Sequence, residues 1–433
     1  MNEERLVKGI SRYREYSFIK VLRETMLILF PVILIGAFCW TFSNCILNSN
    51  SLVGQITQIN KWFPQLQFFR AIVGDIYAVT TGLLTLYASA ISAGVTTKLF
   101  GAKNIYADIF SAISYLLIFH HSLRGQRNVL EMRYYTAYWL IIGIGFGYVI
   151  GMIFVKLGKK DNGDQVAVRY AILDNIRANV KAILVVLAIA LALHIIFAVI
   201  RSANLDSKAY QGITNFFDQH SSYGLAMLMP FVTTLIVWLG FPGSIEFNNA
   251  IFSNEAWINL NHVLQNKSYT NLPYPFTPSS FFNAFASFGG MGCTLALIIG
   301  ILLVTHSRGE QRIVMWSTFP AIFNANMPLA LGVPIIFNPL FLIPYLVTPL
   351  LNMFLGSVAI GFGLIPPLVY PVPDGTPGVL VPLVASGGNW LAVLLTVILL
   401  VIDVFIYLPF IKIAERVEWQ VLLESEQQHE EEN

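Results

Sequence analysis

The stretch FNANMPLALGVPIIFNPLFLIP, Phe323 to Pro344, sets three asparagines (Asn324, Asn326, Asn338) among four prolines (Pro328, Pro334, Pro339, Pro344) in an otherwise apolar run. Each carboxamide offers both hydrogen-bond donors and an acceptor. Each backbone group freed by a proline costs several kcal/mol in hydrocarbon, so such a segment survives at membrane depth only inside protein or along a wet cavity. The pattern predicts a re-entrant or unwound segment that handles a polar substrate, because interrupted segments of this kind mark binding sites in transporters. The bland alternative is a proline-kinked helix pair whose asparagines hold helices together.

A second break follows at IPPLVYPVPDGTPGVLVPLVASGGNW, with six prolines between Pro366 and Pro382 and Asp374 in their midst. No continuous helix tolerates that many prolines. An acid at membrane depth is a candidate functional residue; in a short solvated loop Asp374 would be unremarkable. Gly289, Gly290 and Gly292 interrupt FASFGGMGCTLALIIGILLV, either to admit a neighbouring helix or to bring backbone up to a ligand. Glu246, Asn248 and Asn249 follow the run Tyr223 to Leu239 so closely that they either face a cavity or cap an interface. His120 and His121 are adjacent and do not share a helix face, which favours an interfacial cap over a metal or proton site. Cys39, Cys45 and Cys293 form no CxxC pair and read as buried small hydrophobes. With no triad, metal cluster or phosphate loop, the chain is expected to hold no cofactor, no metal and no self-contained catalytic site.

The elements that must position these residues are set by composition. Of 433 residues, 56% are hydrophobic and 12% charged, against roughly 25% charged in a soluble domain, and mean hydropathy is +0.65. These values predict an all-α polytopic membrane protein. At about 20 apolar residues per crossing, the chain allows about ten transmembrane helices. The runs Thr25–Leu47, Ala71–Leu99, Ile105–Phe119, Thr136–Val155 and Ala182–Ile200 give five spans in the first half. The basic segments before Thr25 and between Lys156 and Lys181 place the amino terminus and that loop in the cytoplasm; Arg124, Arg127 and Arg133 would then lie outside, against the same rule. A final span, Leu391–Phe410, ends at Lys412 and Arg416, again cytoplasmic. The amino-terminal segment is too long and charged for a signal peptide and reads as an amphipathic lead-in. The expected division is 1–203, a five-helix platform; 204–413, a substrate domain with the two re-entrant hairpins; and 414–433, a polar, disordered tail.

Four motifs in order, GFPG at Gly240, FASFGGMGCTLAL at Phe285, FNANMPLALGVPIIFNPLFLIP at Phe323 and DGTPGVL…ASGGNW at Asp374, resemble the EIIC membrane component of the bacterial phosphotransferase system in its lactose, cellobiose and diacetylchitobiose branch. The resemblance implies a homodimer of ten-helix subunits in the bacterial cytoplasmic membrane, with both termini cytoplasmic. The first five helices would form the dimer platform. The later helices would carry a di- or oligosaccharide by an elevator-like movement to a separate EIIB-type protein that phosphorylates it. It also implies a substrate site at Asn324, Asn326, Met327, Pro242, Gly243, Glu246, Gly289, Gly290 and Asp374.

Three positions depart from the family pattern. Where the family reads N-E-P this chain has Asn326-Met327-Pro328, and where it reads H-G this chain has Pro242-Gly243. The family's tryptophan-threonine pair is replaced by Asp374-Gly375-Thr376. A thioether is at best a weak acceptor, so the family's acid and imidazole are both lost; Glu246 and Asp374 are candidates to replace them. The expected function is a sugar permease component with EIIB/EIIA-type partners and no nucleic-acid partner. The alternatives are a membrane sensor or receptor that keeps the fold and signals to a cytoplasmic partner, and an uncoupled facilitator.

Overall fold

Long uncharged runs without water around their backbone must close their hydrogen bonds locally, and helices do so. The computed structural model describes residues 3–120, 132–158, 168–202, 223–241, 254–274 and 277–431, and among the described residues no strand forms. Six helices are long and apolar enough to cross a membrane: Ser17–Ile46, Leu66–Leu99, Ala137–Leu157, Arg177–Ile200, Pro339–Gly361 and Trp390–Val421. Ile105–Phe119 and Thr294–Val304 are shorter apolar helices. The chain is an all-α, multi-pass membrane protein.

Two boundaries differ from the sequence expectation. The basic segment read as a loop to Lys181 is helical from Val168, within the helix Val168–Ser202; alanine, leucine and isoleucine there are good enough helix formers to extend the span into polar sequence. The acidic tail expected to be disordered continues the last helix, Trp390–Glu431, because glutamate and glutamine propagate an existing helix at little cost. A further helix, Asn254–Asn266, forms in polar sequence. Thr294–Val304 has 11 residues, about 16 Å of helix and so about half of a 30 Å hydrocarbon layer.

The chain divides into two units. One comprises Tyr13–Val32 and Val79–Phe216, the other Met1–Arg12, Ile33–Ala78 and Phe217–Asn433.

In the first, small residues at helical spacing bring two backbones together. Thr85, Ser89, Ser92 and Thr96 on Leu84–Leu99 are fully buried against Gly143, Gly147 and Gly151 on Leu140–Leu157. A Cβ on Gly143 would stand 2.5 Å from Thr85 Cγ2, and one on Gly151 2.6 Å from Thr96 Cβ. The hydroxyls are satisfied: Ser92 Oγ donates to Ile144 O at 2.7 Å, and Ser89 and Ser111 pair at 2.8 Å. This is the packing that glycine and small hydroxyl residues permit in membranes. The aromatic rings of Phe119 and Tyr134 stack at 5.1 Å.

In the second unit, the amphipathic lead-in forms the helix Glu3–Arg14 and buries Val7 and Ile10 with Leu340 and Val417. The main core gathers Phe285, Phe288, Leu297, Ile301, Leu329, Tyr345 and Tyr407. Into this core run the two proline-rich breaks.

Candidate functional site

Asn324 sits where three interruptions of helix meet. The helix Arg308–Ile322 ends at Phe323, and Asn324 takes a left-handed conformation, φ +67°, which asparagine tolerates better than most residues. Its Oδ1 accepts Gly290 N at 3.2 Å. The same oxygen lies 2.6 Å from where a Cβ on Gly378 would stand, and Ser287 O is 2.7 Å from that point. So the loop 286–293, the turn 323–326 and the segment 373–378 converge on one carboxamide.

Asn326 closes the second side of this junction. Its Nδ2 donates to Met291 O at 3.1 Å, and a Cβ on Gly290 would fall 2.6 Å from Asn326 Cγ. Gly289, Gly290 and Gly292 have φ of +80°, +97° and +75°. At Gly290 both the conformation and the approach require glycine. The turn is anchored from below: Gly292 O accepts Tyr407 Oη at 2.6 Å and Thr348 Oγ1 at 3.2 Å, and Thr294 Oγ1 donates to Gly289 O at 2.5 Å. Asn326 also shares a side-chain hydrogen bond with Tyr345, whereas Asn324 Nδ2 makes no further hydrogen bond with another described side chain or backbone group. Both residues are half-buried. One donor, Asn324 Nδ2, is thereby left at a rigid, partly accessible junction.

Met327 opens the short helix Met327–Gly332 behind Asn326 and is half-buried, with Pro328 in the first turn. Asn338 has a different task. It caps the helix Pro339–Gly361 by accepting Leu340 N at 3.2 Å, donates Nδ2 to Pro334 O at 3.0 Å, and its carbonyl accepts Trp238 Nε1 at 3.2 Å. Of the three asparagines, this one holds helices together.

The second break, 365–377, is irregular before a single 3-10 turn at Gly378–Leu380 and the short helix Val381–Ala385. Asp374 lies in its tip. Its carbonyl accepts Leu52 N at 3.2 Å, while its side chain is exposed. Gly375, φ +64°, lies against Cys45, with 2.6 Å from its virtual Cβ to Cys45 Cα. The structure thus joins Asn324, Asn326, Gly289 and Gly290 directly, and ties Asp374 by its backbone to Leu52 instead. Pro242, Gly243 and Glu246 lie outside the described residues, as do His121, Arg124 and Arg127.

Motif reading passes over one acid. Asp403 is fully buried in the last helix, and its Oδ2 accepts Asn352 Nδ2 at 2.7 Å. The signal was available: Asp403 is the one charged residue between Leu391 and Ile411.

No family model matches the chain. Among curated proteins, a cellobiose-specific EIIC component of the phosphotransferase system from Lactococcus lactis is 36% identical over 136 residues, 31% of this chain and 28% of that protein. An oligo-β-mannoside-specific EIIC component from Bacillus subtilis is 21% identical over 424 residues, 95% of this chain and 92% of that one. A lactose-specific EIICB component from Staphylococcus aureus is 31% identical over 127 residues, 29% of this chain and 22% of that protein. The matches to the first three curated relatives span 28%, 34% and 32% of their lengths. A crystal structure of the IIC component from the N,N'-diacetylchitobiose-specific phosphotransferase system is 19% identical, with a TM-score of 0.43, covering 98% of this chain and 99% of that chain. The curated relatives carry the resemblance first read from the four motifs, and over nearly its whole length this chain is similar to EIIC membrane components of the phosphotransferase system.

Proposed function

We propose that the chain is the EIIC-type permease component of a sugar phosphotransferase system, taking up a di- or oligosaccharide and presenting it to a cytoplasmic EIIB-type protein. The observation that supports this best is the half-buried carboxamide junction on the Gly289–Gly290 turn, where Asn324 keeps Nδ2 uncommitted beside Asn326. A fixed amide donor suits sugar hydroxyls, which accept as well as donate. Sites built on such donors discriminate strongly, because a substrate lacking the hydroxyl leaves buried groups unpaired. Pro242, Gly243, Glu246, Met327 and Asp374 complete the proposed site. The names of the relatives, which cite cellobiose, lactose and oligo-β-mannosides, direct the choice of sugars to try.

In this reading the chain sits in the bacterial cytoplasmic membrane with both termini cytoplasmic and works as a homodimer. Residues 1–203 form the platform and 204–413 the moving substrate domain. The test is uptake of labelled cellobiose, lactose and oligo-β-mannoside by cells that supply the soluble phosphotransferase partners. Uptake with accumulation of the sugar phosphate supports the proposal. Absence of uptake and of binding to the purified, correctly inserted protein sinks it.

One observation favours a second reading. Met327, beside Asn326, brings a thioether where the family pattern has an acid, and Pro242 removes an imidazole. A chain that binds sugar through the two asparagines without passing it on would act as a membrane sensor with a cytoplasmic partner. Binding without uptake, with uptake gained by the double change Met327→Glu and Pro242→His, would single out this alternative.

A further inference from the structure

Beneath the Gly289–Cys293 turn lies a cluster that the sugar site does not use. Asp403 and Asn352 are both fully buried. Asn352 Nδ2 donates to Asp403 Oδ2 at 2.7 Å and also approaches Cys293 Sγ at 3.3 Å. Two atoms remain without a hydrogen-bond partner: Asp403 Oδ1 and Asn352 Oδ1. Both are acceptors, and they belong to residues already joined through their other polar atoms. Two unpaired acceptors in a dry core would each cost about 1–3 kcal/mol, and an unpaired carboxylate charge more.

No cation neutralises Asp403 among the described residues. The titratable groups around it are Cys293 from the turn, Tyr345 from Pro339–Gly361 and Tyr407 from its own helix. Thr294–Val304, Gly378–Leu380 and Val381–Ala385, which also pack on the last helix, carry no titratable side chain. Lys412 lies on the same helix, is exposed and is about 13 Å further along the axis.

We propose that Asp403 is a buried proton-binding site: a neutral carboxylic acid whose Oδ1–H donates to Asn352 Oδ1 while Oδ2 accepts Asn352 Nδ2. One proton, taken from solvent as the chain folds, turns one orphan acceptor into a donor for the other and leaves no buried charge. A hard cation is the poorer occupant, since it seeks about six oxygens and here would face two, next to an N–H and a thiol. The acid–amide pair then links the last helix to Pro339–Gly361 directly under Cys293, and so positions the turn that holds Asn324 and Asn326. The proposal does not depend on the substrate, and its test reads stability alone.

The test is unfolding of the purified protein in detergent, from about pH 5 to about pH 8, in choline chloride and in sodium chloride. An unfolded aspartate ionises near pH 3.9, so the folded state holds one proton more than the unfolded state above that value. Stability must therefore fall as pH rises, with the unfolding constant growing about tenfold per pH unit until the folded acid itself ionises. Asp403→Asn keeps a donor and an acceptor at the site without a titrating proton, and is expected to remove this component of the slope. Equal slopes in wild type and variant would overturn the proposal, as would stabilisation by sodium that the variant loses. Should Asp403→Asn fail to accumulate, infrared spectra of the wild-type protein at neutral pH are expected to contain a protonated-carboxyl band that moves in Asn352→Leu. No such band, or one that stays in place, overturns it equally.

Discussion

Gly143, Gly147 and Gly151 stay within an α-helix and serve by lacking a Cβ, whereas Gly289, Gly290 and Gly292 lie at positive φ and serve by turning the chain. Both sets are surrounded by hydroxyl and carbonyl groups. In the first unit the hydroxyls of Ser89, Ser92 and Thr96 are spent on neighbouring oxygens along regular helices. In the second, the carboxamide of Asn324 is only half spent. The lesson is that small residues alone do not mark a site. A site needs broken backbone to free polar groups and a rigid frame to keep some of them unmatched.

The comparison breaks first at Gly290. Gly290→Val forces a branched side chain into Asn326 at φ +97°, adding strain of about 1–3 kcal/mol to overpacking of about 1–3 kcal/mol. Loss of sugar binding together with a large drop in thermal stability is expected. In the other unit, Gly147→Leu meets Ser89 O and costs about 1–3 kcal/mol by overpacking alone. Its melting temperature should fall while affinity for sugar, measured below the transition, is retained. If Gly147→Leu abolished binding as Gly290→Val does, the contrast between a packing joint and a binding joint would fail.

Smaller changes sharpen it. Asn324→Ala deprives Gly290 N of its acceptor, about 1–3 kcal/mol, and removes the free donor; isothermal titration should show sugar affinity falling at least about tenfold, which is about 1.4 kcal/mol. Asn338→Ala removes a helix cap worth about 1 kcal/mol and should lower stability without changing affinity, because Asn338 spends its side chain on Leu340 N and Pro334 O. Equal effects of the two alanine variants on affinity would erase the distinction drawn between these asparagines.

Much of the architecture was legible beforehand. The span Ile105–Phe119 coincides with its helix, and Thr136–Val155 lies within one residue of the 3-10 start at Ala137. Uncharged runs leave helix as the economical solution, and prolines and glycines show where it ends. Helix ends in polar sequence were less legible. Val168 and the tail to Glu431 continue helices because propagation from a formed span needs no new nucleus. At the site, the motif singled out Asn324, Asn326 and Asn338 alike. Asn338 caps its helix through the neighbouring Leu340 N, but which asparagine was left half-free depended on partners far away in sequence, Gly290 and Gly378 for Asn324.

The sequence by itself determined that this chain is helical and membrane-spanning, and that its helices break at Phe323–Pro344 and Pro366–Pro382, because hydropathy and proline act through local backbone chemistry. Only the tertiary structure decided that the two breaks meet at Asn324, that Asp374 faces outward and that Asp403 is sealed beside Asn352. Those outcomes depend on which distant donors and acceptors find one another, and spacing along a chain does not encode such pairings.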